Sequence, residues 1–289
     1  MIIKNVLIMS KYKLPHALKV CEKIIDLFNG KVKIYLDPDT ARLLGEKYSP
    51  FPENFKDLKN PIAISIGGDG TFLRLAHMIL PYNIPILGIR PGKTSLCYLC
   101  DYEDKSIDKL VNELLNNSFT IIEKSVGQLE FKGLIDYFIN EIVIKNPKHE
   151  KMIRFKLKVN EEILFYARAD GLIISTSIGS TGYALSSGGP IIDPSLDVIE
   201  ISAISPFSAI NKPIILSSKR KIDITVLDDA IIILDGKTSY SIRKKSNIRI
   251  STSTNIRLRL ITTKYVRSLP EKLFDRLVDR PFIFVQGIS

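Results

Sequence analysis

The segment Ile64-Ser65-Ile66-Gly67-Gly68-Asp69-Gly70-Thr71-Phe72-Leu73 leaves an apolar strand and enters a helical pattern. Three glycines in four residues remove Cβ atoms from the turn and let backbone N–H groups approach a ligand. At the end of a parallel strand and the start of a helix, such a turn suits an anion. Asp69 sits inside it, where a carboxylate repels phosphate. It makes chemical sense there if it orients a hydroxyl nucleophile or binds a metal. A tight turn with Asp69 capping the helix is the competing reading.

A second stretch is richer. Asp170-Gly171 opens an apolar strand, and Ser175-Thr176-Ser177-Ile178-Gly179-Ser180-Thr181-Gly182-Tyr183 follows it. Ala184-Leu185-Ser186-Ser187-Gly188-Gly189-Pro190 then carries a short helix into another glycine turn. The turn offers N–H groups and hydroxyl donors together, as a nucleotide site requires, and Tyr183 can stack on a base. A plain flexible loop is the alternative. Asn140-Glu141 falls within a predicted strand, Phe138 to Ile144. Adjacent strand residues face opposite sides, so both reach one ligand only at a strand end or bend.

Other candidates are weaker. Gly88-Ile-Arg90-Pro-Gly92-Lys93-Thr94 resembles the end of a P-loop, but three residues separate its glycines where that motif has four. A P-loop NTPase is therefore rejected. Arg90 and Lys93 stay as phosphate contacts or solvated charges. His16, His77 and His149 are scattered, which excludes a histidine metal cluster or a Ser-His-Asp triad. Cys97 and Cys100 have C-x-x-C spacing without a second pair, so a four-cysteine zinc site is excluded. With Cys21 they are expected to be buried small hydrophobes rather than redox thiols.

The elements that carry these residues change in texture along the chain. Strands are expected at Ile2 to Met9, Val32 to Leu36, Ile62 to Ile66 and Ile84 to Ile89. Helices are expected at Pro15 to Phe28, Thr71 to Leu80 and Ser106 to Leu115. Such alternation indicates βαβ units and a mainly parallel sheet. From about Thr120 the segments become short, β-branched and turn-separated. They are Met152 to Val159, Ile163 to Ala167, Leu172 to Ser175, Val198 to Ile204, Ile222 to Leu227, Ile231 to Leu234, Ile248 to Ile250 and Ile256 to Ile261. That texture indicates an antiparallel all-β module. A helical tail follows at Glu271 to Val278. The fold class is thus α/β plus all-β. The expected division is 1–118 for the first domain, with 265–289 packing back on it, and 119–264 for the β-rich domain.

The 289 residues suffice for two ordinary domains with cores of their own. Hydrophobic residues at 45% and charged residues at 25% argue against wholesale disorder. Lys and Arg outnumber Asp and Glu by 41 to 31, a net charge of +10 that favours an anionic partner. No apolar run reaches the length of a membrane span, and the N-terminal segment lacks a signal peptide's apolar core, so a cytoplasmic protein is expected.

Taken in order, Gly67-Gly68-Asp69-Gly70-Thr71, Asn140-Glu141, Asp170-Gly171, Gly179-Ser180-Thr181-Gly182-Tyr183 and Gly188-Gly189 resemble the NAD kinase (ATP-NAD kinase) family. The Gly-Gly-Asp-Gly turn is shared with lipid kinases and phosphofructokinases; the other segments make the match specific. The resemblance implies a Rossmann-like N-terminal domain, an antiparallel β-rich C-terminal domain, and NAD bound between them. It implies transfer of the ATP γ-phosphoryl group to the 2′-hydroxyl of the adenosine ribose of NAD, with Mg2+ or another divalent cation.

Asp69 matches the family's general base, between Gly68 and Gly70. Asn140 and Glu141 match ribose- and adenine-side contacts, and Asp170 a residue near the nicotinamide end. Thr181, Gly182, Tyr183 and Ser186 match the segment lining the adenine pocket. Arg74, Lys151, Arg168 and, after Asp235-Gly236, Lys237 fall on polar or basic contacts. The family also implies a homodimer or homotetramer. One segment departs: Gly88 to Leu96 lacks the Leu-Gly that many members carry, which leaves the phosphate end of the site and the donor, ATP or polyphosphate, open. The alternatives are a lipid or sugar kinase sharing the glycine turn, and a non-enzymatic nucleotide-binding regulator.

Overall fold

The structure, a computed structural model, describes residues 2–45, 48–92, 97–148, 150–208 and 212–277. Lys93, Thr94, Leu96, His149 and Val278 lie outside the described residues. The chain divides into two compact units. One is Met1–Glu123 with Leu258–Ser289, and the other is Lys124–Arg257.

The first unit alternates strands and helices. They are β1 (Asn5–Ser10), α1 (Pro15–Phe28), β2 (Lys33–Leu36), α2 (Pro38–Leu44), β3 (Ser49–Pro50), β4 (Pro61–Ile66), α3 (Asp69–Ile79), β5 (Ile86–Arg90), β6 (Tyr102–Glu103) and α4 (Ile107–Leu115). Strands lie parallel in the order β3-β2-β1-β4-β5. All six residues of β1 are buried, as in a parallel strand covered on both faces. Helix α1 starts at Pro15, whose missing N–H costs nothing in the first turn, and packs Ala17, Cys21, Ile24 and Phe28 inward. Ser10 pairs with Ile66, so the ends of β1 and β4 and the turns that follow them are adjacent.

The second unit begins within β7 (Thr120–Phe131). It continues through β8 (Leu134–Phe138), β9 (Glu141–Lys145), β10 (Ile153–Val159), β11 (Glu162–Ala169), β12 (Gly171–Thr176), the one-turn α5 (Tyr183–Ser186), β13 (Val198–Ile204), β14 (Ile214–Ser217), β15 (Ile222–Val226), β16 (Ala230–Leu234), β17 (Thr238–Ile242) and β18 (Ser246–Thr262). One sheet has the antiparallel order β14-β13-β12-β9-β16-β17. A second antiparallel set runs β11-β10-β15-β18. The two share one core, in which Ile142, Leu172, Ile174 and Ile232 meet Phe155, Leu157, Ile224 and Ile250. Left-handed Asn160 and Glu161 form the β10–β11 hairpin turn.

Two expectations are corrected. The strand expected at Phe138 to Ile144 is broken at Ile139–Asn140, because Asp235 takes the backbone N–H groups that a ladder would otherwise use. The pair Ile248 to Ile250 and Ile256 to Ile261 is one strand of 17 residues. After it the chain closes the first unit. Leu260 pairs with Ile86, and α6 (Leu269–Leu277) follows. A reciprocal cap starts α6: the Ser268 N–H donates to Glu271 Oε2 at 2.7 Å and the Glu271 N–H to Ser268 Oγ at 3.4 Å.

Candidate functional site

In the first unit the glycine turn joins β4 to α3. Gly68 is the N-cap, and the N–H groups of Thr71 and Phe72 donate to its carbonyl. Asp69 is the first residue of the helix rather than its cap, and its Oδ1 accepts the Leu99 N–H at 2.9 Å. The same oxygen lies 3.3 Å from Cys97 Sγ. Cys97 and Cys100 form a disulfide, which corrects the expectation of three buried thiols; their Cα atoms are 5.2 Å apart, within disulfide reach.

Beside the turn is an open groove of about 310 Å³ lined by Ser10, Lys11, Lys13, Gly70, Thr71 and Arg74. Its cations and the N-terminal end of α3 suit an anionic group. Arg74 is half exposed, with Nη2 3.4 Å from Oδ1 of the buried Asp37. Asp37 Oδ2 accepts the Ser10 N–H at 3.3 Å, which ties the β1 end to the carboxylate that holds Arg74. Arg90 is 2% exposed, so it is neither a solvated charge nor open to this groove.

In the second unit Asn140 stands at the break before β9, and Glu141 is the first residue of that strand. The turn after β12 packs on them. A Cβ on Gly179 would lie 2.1 Å from the Asn140 carbonyl oxygen, and one on Gly182 would lie 2.7 Å from Glu141 Oε2. Glycine is required at both positions by close approach rather than by an unusual φ. Thr176 Oγ1 donates to the Ile139 carbonyl at 2.6 Å. The turn continues through buried Thr181 into α5, where Ala184 packs on Val143 and Ile173. Tyr183 is 44% exposed, and Ser186 is also exposed, so both face solvent.

Arg168, Asp170 and Lys151 are not brought to this place. Ser175 pairs with Glu141 at one end of β12, and Gly171 pairs with Lys145 at the other. Asp170 precedes that far end, and Ile153 pairs with Ala169 there, which places Lys151 on the same side. The length of β12 separates the two groups by about 17 Å. Arg168 lies over the Phe207 ring, 4.5 Å from its centroid. With Tyr166 and Phe165 it borders a separate cavity of about 650 Å³.

Comparison with known proteins decides among the readings. Residues 22–119 match the ATP-NAD kinase N-terminal domain, and residues 139–262 match the ATP-NAD kinase C-terminal domain. An NAD kinase of Methanosarcina mazei is 34% identical over 256 residues, spanning 87% of this chain and 86% of the relative. One of Thermoplasma acidophilum is 30% identical over 266 residues, spanning 91% and 92%. The chain belongs to the NAD kinase family. An Archaeoglobus fulgidus NAD kinase, solved in complex with ATP, superposes with a TM-score of 0.74 at 25% identity, over 94% of this chain and 99% of that one. A yeast NADH kinase, solved with NADH, shares the fold with a TM-score of 0.83 at 20% identity, over 97% and 89%.

Against this NAD kinase background, two positioning residues escaped the sequence reading. Asp235 is 7% exposed and collects three backbone N–H groups, from Ile139 at 2.7 Å, Asn140 at 2.8 Å and Glu141 at 2.9 Å. The signal available in the sequence is the Asp235-Gly236 turn before Lys237. Leu99 is the other, because it acts through its backbone, which no side-chain motif reveals.

Proposed function

We propose that the chain transfers the γ-phosphoryl group of ATP to the 2′-hydroxyl of the adenosine ribose of NAD, giving NADP. The observation that carries the reading is Asp69 at the start of α3, in a glycine turn flanked by Lys11, Lys13 and Arg74. A carboxylate placed among phosphate-binding groups has a use when it accepts a proton from a hydroxyl nucleophile. A ribose hydroxyl is a weak nucleophile, and phosphoryl transfer has a loose transition state, so alignment and charge stabilisation dominate the catalysis. Asp69 accepts the hydroxyl hydrogen bond, aims the oxygen in line and takes the proton late. Asn140 and Glu141 hold the ribose and adenine side. The Thr181–Ser186 segment, with Gly182 and the exposed Tyr183, takes the adenine.

Magnesium arrives with ATP as part of the substrate, where it neutralises charge on the phosphates. Among the described residues no group of three or more His, Cys, Asp or Glu is arranged to hold it without nucleotide. Incubation with ATP, magnesium and NAD, followed by an assay for NADP, tests the activity. Absence of NADP with folded protein overturns it. Exchange of ATP for polyphosphate and of NAD for NADH identifies the donor and the preferred acceptor. ATP and NAD are cytoplasmic metabolites, which supports a cytoplasmic enzyme.

The same reading calls for a homo-oligomer. Lys151, Arg168 and Asp170 lie at the end of β12 remote from Asn140 and Thr181, so within one chain the two groups do not form one compact cluster. A second copy supplying Arg168 and Asp170 completes it. An Asn140→Ala chain mixed with an Asp170→Ala chain then regains activity, because one of the two mixed sites is intact. If both residues served a site within one chain, mixing would restore nothing.

A further inference from the structure

We propose that Cys97 and Cys100 are a reversible dithiol–disulfide modification site that sets the hydrogen bonding of Asp69. The inference rests on Asp69 as the base of the proposed reaction. The C-x-x-C loop touches the glycine turn at three points. Leu99, between the two cysteines, donates its N–H to Asp69 Oδ1 at 2.9 Å. Cys97 Sγ lies 3.3 Å from that oxygen. Cys100 Sγ lies 3.4 Å from the carbonyl oxygen of Gly67, the residue that opens the turn. The loop is also pressed on β5, since a Cβ on Gly88 would lie 2.9 Å from Cys100 Cα.

A disulfide sulfur carries no hydrogen, so neither contact is a hydrogen bond in the oxidised form. Reduction creates two S–H groups, each already facing an oxygen. Cys97 then donates to the Asp69 carboxylate and Cys100 to the Gly67 carbonyl, and the covalent tie flanking Leu99 is gone. One bond thus changes both the carboxylate and the turn that presents it. In the cytoplasm disulfides are chiefly transient, serving catalysis or sensing, which fits a reversible bond better than a structural staple.

The exchange balances with a dithiol reductant. Its thiolate attacks the sulfur of Cys97, the less deeply buried of the two residues at 6% exposure against none for Cys100. The S–S bond breaks, and Cys100 leaves as a thiolate and takes a proton. The reductant's second thiol then displaces Cys97, which leaves with a proton, and the reductant ends as a disulfide. Two electrons and two protons enter the protein. A small-molecule disulfide oxidant reverses the reaction. Cys21 takes no part, because burial pushes its thiol up to about 12.

The experiment uses the full-length enzyme poised with oxidised or reduced dithiothreitol. Thiols are counted by alkylation and mass measurement, kcat is recorded against pH, and NAD binding is measured by calorimetry. An S–H donor stabilises the carboxylate, so the acid limb of kcat lies lower in the reduced enzyme, by about half a pH unit or more. NAD affinity stays within a few fold, and Cys97→Ser and Cys100→Ser chains respond to neither reagent. Superimposable pH profiles of the two wild-type forms overturn the proposal, as do free thiols at both Cys97 and Cys100 after oxidation. An Asp69→Asn chain, assayed reduced, separates the two readings. Normal turnover there removes the base assignment. Lost turnover together with redox-independent wild-type profiles removes the cysteine proposal alone.

Discussion

Asp235 Oδ1 accepts the N–H of Asn140 at 2.8 Å across 95 residues of sequence. That one carboxylate also holds Ile139 and Glu141, so the segment proposed to grip the ribose is shaped by a distant turn. Asp235→Ala leaves these N–H groups without their acceptor, at roughly 1–3 kcal/mol for each buried donor left unsatisfied. The expected result is a lower Tm in thermal unfolding and a raised KM for NAD. Unchanged NAD kinetics would show that the segment keeps its shape without Asp235.

Asp69→Asn keeps the side-chain volume and an oxygen for Leu99 but removes the proposed base. Turnover is expected to fall about 10²–10⁴-fold, with NAD affinity within a few fold. Steady-state kinetics paired with calorimetry read the two quantities separately. Near-normal kcat would sink the assignment.

Gly179→Ala places a methyl group against the Asn140 carbonyl, where no side chain can yield. The backbone of one segment must shift. Because Asn140 is proposed to contact the ribose, NAD affinity is expected to fall by at least about tenfold, the equivalent of about 1.4 kcal/mol. Wild-type affinity in calorimetry would show that the turn and Asn140 move together.

Glu200 is fully buried in β13. The Ser202 hydroxyl donates to its Oε1 at 2.5 Å, and its Oε2 has no hydrogen-bond partner among the described residues. Burial pushes its carboxyl above the ordinary range, with the Ser202 hydrogen bond opposing that shift. A raised folded-state value means the penalty is absent below the unfolded value. It grows as pH rises toward the folded one, because the unfolded chain ionises more readily. Glu200→Gln should therefore match wild type in Tm at acidic pH and exceed it increasingly toward neutrality. Parallel Tm–pH curves would refute this.

Much of this architecture was legible where local chemistry and tertiary demand agree. Pro15 and Asn29-Gly30 bracket α1, and the β-branched run Val198 to Ile204 is β13 with the same bounds. β7 is not legible in the sequence because its first half, Thr120 to Ser125, has no buried residue. β17, Thr-Ser-Tyr-Ser-Ile, lacks an apolar alternation and is held as a strand by pairing with β16. At the site, Asp69, Asn140 and Thr181 announce themselves by their neighbours in sequence. Asp235 does not, because its partners are 94 to 96 residues away. That Thr181 rather than Arg168 lies by Asn140 and Glu141 is equally hidden, since it follows from the antiparallel register of β12 on β9.

The first unit is finished by a segment made after the whole second unit. Leu260 pairs with Ile86, and the Tyr102 hydroxyl donates to the Ile261 carbonyl at 3.2 Å. Between Glu123 and Leu258 the ribosome must add the whole second unit. At ~5–20 residues per second, that takes ~7–27 s. During this interval β5 has been synthesised but its partner Leu260 has not. The contiguous second unit can fold while it emerges, whereas the half that bears Asp69 waits until the segment from Leu258 onward has been made. Completion of the unit that bears Asp69 is thereby tied to synthesis past Leu260, and a chain that stops before it does not complete that unit.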